Sequence, residues 1–305
     1  MSLEKILVTG PAMGVGLIGA MLAKRWLGTG RALILVPQDD KAGDVIARPD
    51  VHRFHDEIGL ELSAKGALPV FAVSAESALG AIELPFSPPG IARSGVEFHQ
   101  HWKRAVGLGF EAALEDFSLA LALHRTGLQL SADQLARMPL RYGLKFDRAA
   151  YAEQLLRHAE TLGAEFSQEA GSAQLHVDCA PSQALPGWQD GRLQIASGAD
   201  LPGLEWQVLA NAARRLCGLS AGLGNCDEEA REYTRLALQE EARITDMRAL
   251  LNNDKPAATA NPALRRKIDL FTACGRIPTE DFEVFAPHEW LAALIARGLE
   301  PRRYD

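Results

Sequence analysis

The sequence predicts an α/β fold with a parallel sheet and a mainly helical C-terminal third. Three observations predict it. Residues 4–9 (EKILVT) are a short apolar run, GPAMGVG then opens an apolar helix to about residue 27, and ALILV at 32–36 is a second apolar run. Strand, helix and strand in that order imply parallel pairing. From residue 203 onward helical patterns dominate.

The elements follow in order. Residues 48–60 read as a short helix, started near Pro49 and ended at Gly59. Residues 66–84 are rich in Val, Ala and Phe and read as strand, and PFSPPG at 85–90 reads as loop. Helical patterns cover about 95–107 and 112–125. Asp147 is placed as the N-cap of a helix over 148–162, ended by Gly163. Two short strands (EFSQ and QLHVD), a connection at 179–191 and a strand at 192–196 come next. The remaining helices are expected at 203–218, 226–251, 262–274 and 287–297. In the last of these Trp290, Leu291, Leu294 and Ile295 share one face, Gly298 stops the helix, and Pro301 prevents its restart. We expect one domain over 1–305, with a reduced substrate or lid segment inserted at 66–145 and a helical part at 203–305.

Composition narrows the function. The chain has 305 residues, 47% hydrophobic and 23% charged, so it can bury a sizeable core. A net charge of −7 gives no reason to expect nucleic acid or an anionic membrane as partner. Cys179, Cys217, Cys226 and Cys274 are scattered, which argues against a zinc site or a disulfide framework and for reduced thiols in the cytoplasm. The strand-like start predicts no signal peptide, and no apolar run approaches the ~20 residues of a membrane span. His52, His55, His99 and His101 lack a completing Asp or Cys pattern and are expected on the surface or in packing, with no metal.

The glycine segment is the first candidate site. Gly10, Ala12, Met13, Gly14 and Val15 join a strand to a helix, where glycine permits close backbone approach and the helix N-terminus offers free N–H groups to a pyrophosphate. As GxGxxG the match is imperfect, with Ala12 and Val15 at the second and third glycine positions. Read as TGxxxGxG from Thr9 to Gly16, it resembles the cofactor loop of short-chain dehydrogenases, but no Tyr-x-x-x-Lys pair accompanies it. An acid for the ribose is expected at the end of the second strand, where Pro37 stands, with Asp39 and Asp40 slightly later.

A more extended resemblance runs nearly end to end. It begins at the tail, where Trp290-Leu291, Gly298 and Pro301-Arg-Arg-Tyr-Asp305 resemble the C-terminal block of the flavin-dependent tryptophan halogenases. Residues 49–60 resemble the family's Pro-x-Ile/Leu-Arg-x-Phe-His-x-x-Leu-Gly-Leu segment, and Pro85-Phe86 with 95–102 resembles its Pro-Phe-Gly loop and Phe-His-x-x-Trp helix. Tyr142 to Asp147 resembles the step into the central helix. Val177-Asp-Cys179 resembles Val-Asp-Cys-Ser-Gly, and Ile195-Ala-Ser197-Gly198 with Leu204-Glu205 resembles the second flavin-contacting stretch. The helix over 233–248 also matches in pattern.

The resemblance implies a Rossmann-like FAD/NAD(P)-binding fold with a reduced substrate domain. Its chemistry would start from reduced FAD and oxygen, make hypohalous acid, and pass it through a tunnel to a lysine, with a glutamate to position it. The implied flavin contacts are Gly10, Ala12, Met13, Gly14, Val15, Ser197 and Gly198, and the implied catalytic residue is Glu205. The implied partners are a flavin reductase, an aromatic small molecule and a second copy of the chain. Val70 stands where the family's lysine stands, and Trp206-Gln207-Val208 replaces the Ser-Thr-Gly beside the halide. The Trp-x-Trp-x-Ile-Pro motif is absent, with Trp188 alone, and the large substrate-covering segment between Cys179 and Arg192 is reduced to a turn. Halogenation itself is therefore not expected, although FAD-dependent oxidoreductase chemistry by family leads the reading. The alternatives are a non-catalytic binding or scaffold protein and an NAD(P)-dependent oxidoreductase.

Overall fold

The computed structural model describes residues 4–61, 66–78, 80–169, 171–180, 185–195, 200–219, 227–252 and 261–303. Its elements in chain order are β1 (Lys5–Pro11), α1 (Ala12–Trp26), β2 (Ala32–Gln38), β3 (Asp44–Ala47), α2 (Val51–Ile58), β4 (Ala67–Val70), β5 (Ala72–Ala75), β6 (Ile82–Pro85), α3 (Phe98–Gly107), a 3-10 turn (Leu114–Phe117), α4 (Leu119–Thr126), α5 (Ala132–Arg137), β7 (Gly143–Asp147), α6 (Arg148–Thr161), β8 (Glu165–Phe166), β9 (Leu175–Asp178), β10 (Gly187–Gln189), β11 (Arg192–Gln194), α7 (Leu204–Leu219), α8 (Asp227–Leu251), α9 (Pro262–Cys274) and α10 (Pro287–Ala296). The chain divides into two units, Met1–Leu68 with Leu144–Glu241, and Pro69–Gly143 with Ala242–Asp305.

The first unit is organised on the expected parallel sheet, in the order β10-β11-β9-β1-β2-β8. β1 is central because Ile6, Leu7 and Val8 are all buried, and a run apolar on both faces needs cover on both. It pairs parallel with β2 (Leu7 opposite Ile34) and with β9 (Val8 opposite Val177). α1 packs against α6 and α7. Gly16 sits at the α6 contact, where a Cβ would lie 2.8 Å from Leu155 Cβ. The second sheet has the order β3-β7-β4, with β3 and β7 antiparallel.

The second unit has the antiparallel pair β5 and β6, with α4 and α10 packed on β6. Phe71, Ala120, Leu123 and Leu135 form one of its apolar clusters. Trp290 is buried in α10, edge-on to Phe285, with Lys267 Nζ 4.0 Å from its ring centroid. That ammonium is also bonded to Glu283 at 2.5 Å.

Several boundaries differ from the sequence expectation. The 66–84 stretch is three short strands, because Ser77 and Gly80 exchange backbone hydrogen bonds across a turn. The 112–125 pattern is a 3-10 turn followed by α4, because Ser118 caps a new helix through Leu121 N. α5 is too short to show periodicity, although Ser131 and Gln134 form its capping box. The 179–191 connection contains β10, which turns back into β11 through Asp190 (φ 50°) and Gly191 (φ 73°), the Asp-Gly turn of a tight hairpin. Trp290, Leu291 and Leu294 are buried as expected, but Ile295 is 37% exposed.

Gly16→Ala tests the α1–α6 contact. Alanine is the better helix former by about 1 kcal/mol, so a helix limited by propensity would gain stability. Overpacking against Leu155 is expected instead to cost about 1–3 kcal/mol, read from urea melts. A neutral or stabilising result would refute the contact.

Candidate functional site

The glycine segment is not a loop. β1 runs to Pro11 and α1 begins at Ala12, so Gly10 closes the strand at φ 124° while Met13, Gly14 and Val15 lie buried in the first turn of α1. The glycines answer to the protein's own packing. A Cβ on Gly10 would lie 2.9 Å from Ala180 N, and one on Gly14 would lie 2.9 Å from Cys179 Cβ. Residues 179 and 180 follow β9 and press on the start of α1.

The N-terminus of α1 already holds an anion from the chain itself. Met13 N donates to Asp40 Oδ2 at 2.9 Å. The acid expected near the ribose end of β2 is therefore a helix cap, because the chain after Gln38 turns back toward α1. Arg148, the first residue of α6, donates from Nη1 to Asp40 Oδ1 at 3.4 Å and from Nη1 and Nη2 to the two oxygens of Glu205 at 3.0 and 2.9 Å. Arg148 N also donates to Gly43 O, so one residue grips both ends of the segment that carries Asp40. Lys41 Nζ reaches Glu205 Oε2 at 2.9 Å.

Glu205 lies in the first turn of α7, so the starts of α1, α6 and α7 meet at this cluster. Two cations and two carboxylates balance there, with the Arg148 side chain 4% exposed and Asp40 10%. Burial alone would raise the Glu205 pKa, but the hydrogen bonds from Arg148 and Lys41 hold the carboxyl below its ordinary value. A pyrophosphate at α1 would confront the Asp40 carboxylate on the amide it needs. The residues present do not fit a dinucleotide phosphate at this helix end. Ser197 and Gly198, the other implied flavin contacts, lie outside the described residues.

The remaining implied positions carry packing. Val70 ends β4 half-buried. Lys103 pairs with Glu300 at 2.9 Å, and Lys65 lies outside the described residues. Trp206 is fully buried, edge-on to Phe54, and its indole N–H reaches Tyr151 Oη at 3.2 Å. Tyr151 Oη is also 2.8 Å from His55 Nε2. Indole can only donate, so the hydroxyl accepts from Trp206, and it shares its second hydrogen bond with a neutral His55. Burial, with a smaller contribution from His52, lowers the His55 pKa to about 4.

His99 is buried against Gly275 O at 2.8 Å, and His101 is exposed. Among the described residues no group of three or more His, Cys, Asp or Glu could hold a metal ion. No helix among them is long and apolar enough to cross a membrane.

Sequence reasoning weighed Asp40 for the sugar and did not weigh Arg148 or Lys41 at all. Arg148 was accessible in principle, as a cation immediately after the Asp147 cap, in a first turn where the dipole disfavours positive charge.

The parallel sheet, the α1 joint and the helical remainder define an α/β fold of the dinucleotide-binding type. Solved structures of the same fold include flavin-dependent halogenases. BrvH from Brevundimonas sp. BAL3 superposes with a TM-score of 0.79 at 16% identity, over 100% of this chain and 91% of that one. Xcc4156 from Xanthomonas campestris gives 0.81 at 15%, over 100% and 91%. A tryptophan 6-halogenase from Streptomyces toxytricini gives 0.75 at 12%, over 99% and 92%. At such identities the likeness is one of fold. The tryptophan halogenase family model matches residues 80–179. No curated protein matches significantly. The matched segment and the shared fold make the chain similar to the flavin-dependent tryptophan halogenases.

Glu205→Ala separates a structural from a catalytic role. It leaves the buried Arg148 with Asp40 alone, and is expected to cost about 3 kcal/mol in denaturant melts. Stability within about 0.5 kcal/mol of wild type would contradict the structural role.

His55 gives a pH prediction. Its folded pKa is depressed, so its contribution is complete above the unfolded value near 6.5 and is lost as pH falls toward about 4. Across that window wild type should lose on the order of 3 kcal/mol that His55→Gln does not lose. Parallel pH profiles of the two proteins would count against a buried neutral imidazole.

Proposed function

We propose that this chain is a halogenase-fold protein that has given up flavin-dependent halogenation and works by binding, not by redox catalysis. The observation that carries the proposal is the Asp40 carboxylate on Met13 N, with Arg148 holding it there. An anionic cofactor and that carboxylate compete for the same helix end.

Two further observations support it. Val70 offers no nitrogen where the family resemblance implies a lysine. Trp206 fills the place where the resemblance implies a small hydroxyl residue beside the halide. The same competition at Met13 opposes the NAD(P) alternative, since its phosphates would seek the same amides. On this reading the chain needs no flavin reductase. Its buried free thiols, Cys179 and Cys217, suit a reducing compartment such as the cytoplasm.

Purified wild type is expected to be colourless, to show no thermal shift with saturating FAD or NADPH, and to brominate neither tryptophan nor indole above a no-enzyme control when given reduced FAD and bromide. Asp40→Asn keeps the size and removes the charge, and it is expected to gain a shift with FAD of about 2 °C or more. A yellow wild-type protein, or brominated product, would overturn the proposal. An Asp40→Asn variant as indifferent to FAD as wild type would remove Asp40 as the cause.

A further inference from the structure

The second unit contains a cavity of about 680 Å³ bounded by β5, β6, the 3-10 turn, α4 and α10. That volume lies within the roughly 300–1,000 Å³ typical of small-molecule sites. Its floor is apolar: Ile82, Leu121, Leu291 and Ile295 all line it. The exposure of Ile295, unexpected for its place on the apolar face of α10, is exposure toward this cavity.

Charge along one wall distinguishes what could enter. Glu83, Glu115 and Arg125 line the cavity. Arg125 binds Glu83 Oε2 through Nε and Nη2 at 2.8 and 2.6 Å, and Glu115 Oε2 through Nη2 at 2.5 Å. One guanidinium is thus shared by two carboxylates, and each keeps its Oε1 as a further acceptor. Two other polar groups of the lining are engaged elsewhere. Trp102 donates to Ala112 O, and the Ser118 hydroxyl caps α4. Glu83, Glu115 and Arg125 give the lining two negative charges and one positive. The excess of negative charge disfavours an anion here, whereas a cation meets carboxylate oxygens with acceptor capacity left.

We propose that this cavity is a binding site for a small molecule with an apolar body and a protonated amine, the body on Ile82, Leu121 and Leu291 and the amine between Glu83 and Glu115. All of its residues lie in the second unit. The inference is therefore independent of the loss of halogenation argued from Asp40.

Three probes of matched shape test it on the full chain at pH 8: phenylbutylamine, phenylbutanol and phenylbutyrate, followed by calorimetry. The amine is expected to bind at least about tenfold more tightly than the carboxylate, a difference of roughly 1.4 kcal/mol, with the alcohol between. Glu115→Gln should reduce that preference, and Glu115 is exposed enough for the variant to fold. Ala292→Trp, which fills the cavity from α10, should abolish binding of all three while the far-UV spectrum stays that of wild type. Equal binding of amine and carboxylate, no binding of any probe, or undiminished binding to a folded Ala292→Trp protein would each overturn the proposal.

Discussion

The first unit depends on one buried guanidinium. Arg148 lies at the start of α6, where the helix dipole already disfavours a cation, with its side chain 4% exposed. Such a charge is tolerated only when carboxylates surround it. Glu205, in the first turn of α7, accepts two hydrogen bonds from it, and Asp40 accepts a third. Asp40 can serve both Arg148 and Met13 because α1 and α6 pack closely, and Gly16 permits that closeness. The sheet order, the glycine pattern and the ion cluster are therefore one arrangement. β1 and β2 place α1 and the Asp40 segment side by side, β9 and the chain after it press on α1, and the starts of three helices meet.

This arrangement bears directly on chemistry. A fold that binds dinucleotides does so with the free amides at the start of its first helix. Here the chain answers one of those amides, Met13 N, with its own Asp40 carboxylate. Behind this cluster Trp206, Tyr151 and His55 form a dry polar chain, and Tyr151 stacks on Phe146 with ring centroids 4.1 Å apart. Burial raises the Tyr151 pKa and lowers that of His55, so both groups stay neutral at ordinary pH. These neutral groups are joined by hydrogen bonds within the core.

Much of the fold was legible in the sequence. Strand, helix and strand at the start, the Asp147 cap and the long helices after residue 203 stand where periodicity and capping put them. What periodicity missed is short: β3, α5 and β10 have 4, 6 and 3 residues, too few for a pattern to repeat. The Asp-Gly turn before β11 was the available signal for the hairpin. The candidate site was legible only as a set of residue types. A glycine pattern states that backbones approach, but not whether the approaching atoms belong to a ligand or to Cys179 and Ala180. The adjacent Asp40 and Lys41, Arg148 and Glu205 come from three distant parts of the sequence, and their meeting follows from helix packing that no local pattern encodes.

The central claim is that the α1 helix end is held by the protein's own carboxylate. A crystal structure grown with saturating FAD tests it most directly. The account expects Asp40 on Met13 N and Arg148 on Glu205, as without ligand, and no flavin phosphate at the start of α1. A pyrophosphate bonded to Met13 N, with Asp40 displaced, would contradict it.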